Sequence, residues 1–236
     1  MHFVGHNGMG GAFSPKFLTI QTQKNGTFVC NVTRQAGAPT CTWQFADGTT
    51  QTGDSCSKAM NGTLQNVVVK INPSKLLTFS AIGMDVVRFL NLPKCVNLRT
   101  FNCYQSANKN PLIINLSALA GMTALTSLNL SSGVYTADIT GVLNSLPPTD
   151  ISISLVRTAA LPGSVPFGLA YLTTRHCAWN QAQVNQMADF FYDNRASFTR
   201  IPSIDINGTN AAPSAAQIAK LQELKTTCGW DLTWSA

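Results

Sequence analysis

The chain has 236 residues, a formal charge of +6 and only 11% charged side chains, with a single glutamate, Glu223. Typical soluble domains carry roughly 25% charged residues, so here Asn, Ser, Thr and Gly supply the polarity. That balance suits β-rich extracellular or virion proteins better than cytosolic enzymes. The basic residues are scattered, densest at Lys58, Lys70, Lys75, Arg88, Lys94 and Arg99, and their lack of any run argues against a nucleic-acid partner.

Residues 1–14 are rich in glycine and read as a flexible arm. They lack the basic start and continuous apolar stretch of a secretory signal. The initiator-like Met1 favours synthesis in the cytoplasm and release by assembly or lysis. No apolar run reaches the roughly 18 residues that cross a bilayer. From Phe17 the pattern alternates as a strand, then meets Asn25-Gly26, a hairpin signal, with Thr27 to Thr33 as the return strand. Trp43 and Phe45 share one strand face, and Asp47-Gly48 supplies a tight turn. For Asp47 and Asp54 a turn role is favoured over calcium binding. Asn66 to Ile71 closes this part as a Val-rich strand, and Asn72-Pro73-Ser74 reads as a boundary.

Trp43-x-Phe45-x-Asp47-Gly48, with the Thr-rich sequence and Val-rich strand after it, resembles the PKD-type immunoglobulin-like domain. Ala46 stands where that family usually has glycine, and the family's later Gly-Thr-Tyr strand start is not clear. The resemblance implies a β-sandwich over residues 15–72 that serves as a spacer or interaction module.

Residues 73–236 carry a different period. Leu125-Thr-Ser-Leu128-Asn-Leu130 is a Leu-x-x-Leu-x-Leu unit. Related units are Leu76 to Ala81, Leu98 to Cys103, Thr149 to Ile153 and Ile201 to Ile206, with room for a degraded copy around Arg175-His176-Cys177. Their anchors, Phe79, Phe101, Leu128 and Ile151, recur at the roughly 20–29 residues of a leucine-rich repeat. The last two apolar positions of a unit lie two apart, so they share one face of a short strand. Such a unit buries that face only by stacking on its neighbours. Leu116 to Met122 and Ile139 to Leu146 read as returning segments. The chain thus resembles an irregular leucine-rich-repeat solenoid, although the family's consensus asparagine is not regular. The fold class expected is mainly β with some α: an N-terminal Ig-like sandwich followed by a repeat domain with a helical cap. In that cap, Asn180 caps a helix from Gln181 to Arg195, with Val184, Met187, Phe190 and Phe191 as its core stripe. Ser214 caps a second helix with Ala215, Ile218, Leu221 and Leu224 on one face. Gly229 ends it, and Trp230 to Trp234 forms a last strand.

Motifs for chemistry are sparse. His2, His6 and His176 have no partner at metal-ligand spacing, and no H-E-x-x-H, G-x-S-x-G or phosphate-binding loop occurs. Of the carboxylates, only Asp150 and Asp205 fall on repeat strands. The seven cysteines contain no C-x-x-C. Cys41 and Cys56 flank a predicted hairpin and are candidates to bridge, with Cys30 a competitor for either. Cys103 and Cys177 read as buried thiols. No metal or cofactor is expected. The surface left for binding is the outward face of the repeat strands: Asn102 and Tyr104; Ser127, Asn129 and Ser131; Asp150, Ser152 and Ser154; Asp205 and Asn207. Short polar residues in rows suit a glycan or a flat protein surface. The expected function is therefore non-enzymatic: a phage virion protein of capsid-decoration or fibre type, with other virion proteins as partners and a homo-oligomeric state in view. A secreted or cell-surface bacterial adhesin is the second expectation and a carbohydrate-active enzyme with an unrecognised site the third.

Leu128→Asp places a charge in the stacked core, so it should abolish the cooperative melt and the near-ultraviolet dichroism. Asn129→Ala, on the outward face, should leave both intact. The reverse result would mean that the register is shifted by one residue.

Overall fold

The computed structural model describes residues 16–103, 119, 122–129, 151–155 and 165–236. Within them the protein is mainly β, with two sheets and two helices. The first half contributes β1 (Leu18–Thr22), β2 (Asn25–Arg34), β3 (Thr42–Phe45), β4 (Thr50–Thr52), β5 (Ser55–Asn61) and β6 (Gln65–Lys70). Then come β7 (Leu76–Ser80), β8 (Val86–Leu90), β9 (Thr100–Asn102), β10 (Ser127–Asn129), β11 (Ile151–Ser154) and β12 (Leu169–Thr173). Helix α1 (Gln181–Asp193), β13 (Ser203–Ile206), helix α2 (Ala215–Thr227) and β14 (Asp231–Trp234) complete the order.

One sheet has the order β4-β3-β6-β1-β8 and is antiparallel throughout. Strand β1 lies inside it, and Leu18, Thr19, Ile20 and Thr22 are buried. The Asp47-Gly48 turn joins β3 to β4. Gly48 N donates to Phe45 O and Phe45 N to Thr49 O, both at 3.0 Å, with Gly48 at φ 82°. Asp47 accepts from Thr49 N and Thr49 Oγ1 and pairs with Lys58 at 2.7 Å. The Lys58 ammonium and the Thr49 donors hold the Asp47 carboxyl well below the usual carboxylate range. Trp43 and Phe45 are buried, and Trp43 Nε1 donates to Gly53 O at 2.9 Å.

The expected hairpin at Asn25-Gly26 does not exist. Strand β1 pairs with β6 and β8, whereas β2 pairs with β5 and β7 in the other sheet. The chain crosses between sheets one step earlier. Thr22 Oγ1 donates to Met84 O at 2.5 Å and accepts from Lys24 N at 3.0 Å. Asn25 and Gly26 instead open β2, facing Asn61 and Met60, with Gly26 at φ 95°.

The second sheet has nine strands, β14-β13-β12-β11-β10-β9-β7-β2-β5. From β5 through β2 to β7 the pairing is antiparallel; from β7 to β14 it is parallel. Hydrogen bonding therefore runs across the expected boundary at residues 72–74. There Asn72 Oδ1 accepts from Ser74 N at 3.1 Å and caps a single short turn, after which β7 joins β2 and β8 joins β1.

Along the parallel part, one inward row comprises Phe79, Phe101, Leu128, Ile153, Leu172, Ile204 and Leu232, all buried. Two details differ from the sequence reading. Ile153, two residues past the expected anchor Ile151, stands in the row with Leu128, and both isoleucines are buried. The copy sought around Arg175 to Cys177 is instead the strand Leu169–Thr173 just before it. Phe89, from the five-stranded sheet, packs on Phe79 and Phe101 of the nine-stranded sheet, with ring centroids 5.2 Å from each; Phe79 and Phe101 lie 5.6 Å apart. These rings weld the two sheets into one core.

Helix α1 starts with a full capping box: Asn180 Oδ1 accepts from Gln183 N, and Gln183 Oε1 from Asn180 N, both at 3.0 Å. Val184, Met187, Ala188 and Phe191 are its buried face, with Phe190 half-buried. In α2 only Leu221 and Leu224 are buried; Ala215 is exposed and Ile218 half-exposed. Gly229 ends α2 at φ 72°, and Trp230 N returns to Leu224 O at 3.1 Å. The arm at residues 1–14 and the returning segment Ile139 to Leu146 lie outside the described residues. Among the described residues no helix is long and apolar enough to cross a membrane.

Phe89→Ala removes the ring that bridges the sheets. We expect it to cost about 3–5 kcal/mol. Because the sheets share one core, calorimetry should show the whole chain melting in one transition, shifted down. Two separated transitions, with only one of them moved, would mean that the halves fold independently.

Candidate functional site

The outward side chains of the parallel strands form two polar rows. One carries Thr78, Thr100, Ser127, Ser152, Tyr171, Ser203 and Asp231 in register. The other carries Ser80, Asn102, Asn129, Ser154, Thr173, Asp205 and Thr233. In-register pairing sets neighbours in a row about 4.8 Å apart. The antiparallel strand β2 extends both rows by one residue, Thr33 beside Thr78 and Asn31 beside Ser80. Thr33 Oγ1 and Thr78 Oγ1 share a hydrogen bond of 2.9 Å.

Of the residues expected on this face, Asn102, Asn129, Ser154 and Asp205 share one row, and Ser127 and Ser152 share the other. Asn207 lies one residue beyond β13, at a turn. Its N–H donates to Asp205 Oδ1 at 3.1 Å, its Oδ1 accepts from Gly208 N at 2.7 Å, and its carbonyl accepts from His176 N at 3.3 Å. Tyr104, Ser131 and Asp150 lie outside the described residues. Sequence reasoning missed Thr78, Ser80, Thr100, Tyr171, Thr173, Ser203, Asp231 and Thr233. Tyr171 is 38% exposed and sets an aromatic ring among the hydroxyls. The signal was Leu169-Ala-Tyr-Leu172-Thr-Thr174, a repeat unit whose last apolar position is Thr174 and whose outward position carries tyrosine.

The charged corner of the face is tightly bonded. Asp205 Oδ2 pairs with Arg175 Nε at 3.2 Å, and its Oδ1 accepts from Thr233 Oγ1 at 2.8 Å. Asp231 Oδ2 accepts from Ser203 Oγ at 2.8 Å. Asn102 Oδ1 and Thr173 Oγ1 are buried without a hydrogen-bond partner among the described residues. Such groups bear a desolvation penalty that an incoming donor or a water relieves.

Beneath this corner sits Asn210, 4% exposed. Its Nδ2 donates to Thr174 O at 2.8 Å and Ile206 O at 3.0 Å, while its Oδ1 accepts from Trp179 N at 3.1 Å. One amide thus ties together the ends of β12 and β13 and the entry to α1. His176 takes a left-handed turn at φ 59°, and a Cβ at Gly208 would stand 2.7 Å from its Nδ1, so glycine is required there.

Several buried thiols are poor nucleophiles. Burial pushes Cys41 up to about 11 and Cys56 and Cys95 up to about 12, away from thiolate at neutral pH. Among the described residues no three His, Cys, Asp or Glu side chains converge to hold a metal ion. Comparison with known protein families, curated proteins and solved structures finds no match to the chain.

Asn210→Ala strips partners from Trp179 N and two carbonyls. We expect a loss of about 1–3 kcal/mol for such unsatisfied groups, read as a lower denaturant midpoint. An unchanged midpoint would show that water replaces the amide at no cost.

Proposed function

We propose that this chain is a non-enzymatic structural protein of a phage particle, of capsid-decoration or fibre type, that displays a binding face. The N-terminal part is a PKD-type immunoglobulin-like sandwich. The parallel ladder is a leucine-rich-repeat solenoid whose α1, α2 and β14 form its cap. The observation that carries this reading is the continuous nine-stranded sheet, which runs from β5 to β14 and presents two rows of short polar side chains. A rigid link between an anchoring module and a presenting surface is what a display protein needs. The low charge of the face supports recognition by hydrogen bonds, and Tyr171 offers a sugar or peptide a ring to lie on. The described carboxylates of the face also support a non-catalytic role. Asp205 and Asp231 are committed to Arg175, Thr233 and Ser203, rather than poised as an acid and a base. The partners in this reading are other virion proteins on the sandwich side and a cell-surface protein or glycan on the polar face. The protein would assemble as a homo-oligomer.

The test is light scattering over a range of concentrations, paired with immunogold labelling of particles and cells from the source culture. A symmetric oligomer and labelled particles are expected. A strict monomer, with label on cell envelopes, would replace this reading with the adhesin.

A further inference from the structure

The sequence left the cysteines with several possible pairings; the strand register sets one of them, Cys30 with Cys56, face to face. Cys30 in β2 and Cys56 in β5 are direct partners across the antiparallel ladder, and both are buried. Val32 N donates to Asp54 O at 2.8 Å, so that pair is hydrogen-bonded. Hydrogen-bonded pairs recur every second residue, which makes Cys30 and Cys56 one too. Residues so paired have Cα atoms about 5.5 Å apart, within the roughly 4.4–6.8 Å that a disulfide spans. Their Cβ atoms, at the wide end of about 4.5–5.5 Å, must close to about 3.5–4.5 Å. The free Cys30 Sγ must also leave Ser80 O, to which it donates at 3.2 Å. Both side chains point to the same inner face, as the alternation of buried Phe28, Cys30 and Val32 and of buried Cys56 and Met60 requires. The sulfurs sense each other. Burial raises Cys30 well above its ordinary range, and Cys56, then Cys103, add to the effect. The backbone amide of Cys30 lies close enough to Cys56 to favour its thiolate.

The competitors are placed worse. Cys103 follows β9, two strands from β2. At ordinary strand spacing that is about 9–10 Å, beyond the reach of roughly 7 Å. Cys41 immediately precedes β3, in the other sheet, and the charged groups that act on its thiol are Asp54 and Arg34, not Cys30 or Cys56.

We propose that Cys30 and Cys56 are a cross-strand disulfide site, closed when the chain folds in the presence of a small-molecule disulfide such as oxidised glutathione. Both thiols lose hydrogen and one S–S bond forms. The glutathione disulfide breaks and takes up both hydrogens and the electron pair as two molecules of reduced glutathione. In the folded, reduced protein the buried thiols exchange slowly, so closure belongs to folding, before β5 is sealed against β2.

The experiment is to refold the full chain from denaturant in a buffer of reduced and oxidised glutathione, quench with acid, alkylate the remaining thiols in denaturant, digest with trypsin and map the peptides by mass. Cleavage after Lys24, Arg34 and Lys58 puts Cys30 on peptide 25–34 and both Cys41 and Cys56 on peptide 35–58. The expected result is a link between these peptides, with alkylated Cys41 in the fragment spectrum. The Cys41→Ala and Cys103→Ala variants should retain the link. Alkylated Cys56 in the linked pair, or loss of the link in a folded Cys41→Ala variant, would assign the bond to Cys41 and overturn the proposal. So would full alkylation of Cys30 and Cys56 in chains that have regained the native circular dichroism.

Discussion

Everything in this molecule hinges on strand β7. Among the described strands it is the one that pairs antiparallel on one flank, with β2, and parallel on the other, with β9. A parallel ladder needs a first strand whose far edge is covered, because a bare edge pairs with whatever strand it meets. Here the cover is the two-stranded unit β2–β5 of the N-terminal half. The ring cluster of Phe79, Phe89 and Phe101 sits at the same place and fixes the second sheet against the first. Backbone hydrogen bonds and core packing thus coincide at one seam, and the two halves read from the sequence become a single hydrophobic unit.

Much of the ladder was legible in the sequence because its signal is local and repeated. A pattern with two apolar residues two apart states which side chains are inward, and Phe101 and Leu128 are buried where that pattern puts them. What the pattern does not carry is pairing. Asn25-Gly26 is a sound turn signal, yet the chain crosses sheets before it, because Thr22 is held by Met84, sixty-two residues away in sequence. Strand β8 has the same status: nothing in Val86 to Leu90 announces that it lines up beside β1. Sheet membership is decided by contacts distant in sequence, so the boundary read from Asn72-Pro73-Ser74 marks a turn and not a break in hydrogen bonding.

The polar face was legible in outline for the same reason, since a residue between two inward positions must face outward. Its details were not. Tyr171 was hidden because its repeat unit is degraded. Asn210 lies outside any repeat strand, and its value depends on three backbone groups that only the fold gathers. The cysteines show the same limit. Their spacing suggested a bridge across a hairpin, whereas the register sets Cys56 opposite Cys30.

The position of β1 has a mechanical consequence. It lies between β6 and β8, with antiparallel bonds on both flanks. A tension applied along it from its N-terminal side loads both sets of bonds in shear, so they must rupture together. Strand β14, at the far edge of the other sheet, is bonded on one flank only among the described residues. Under load the molecule is strong where β1 takes the pull and weak where β14 does, and stretching would peel it from its C-terminal strand first.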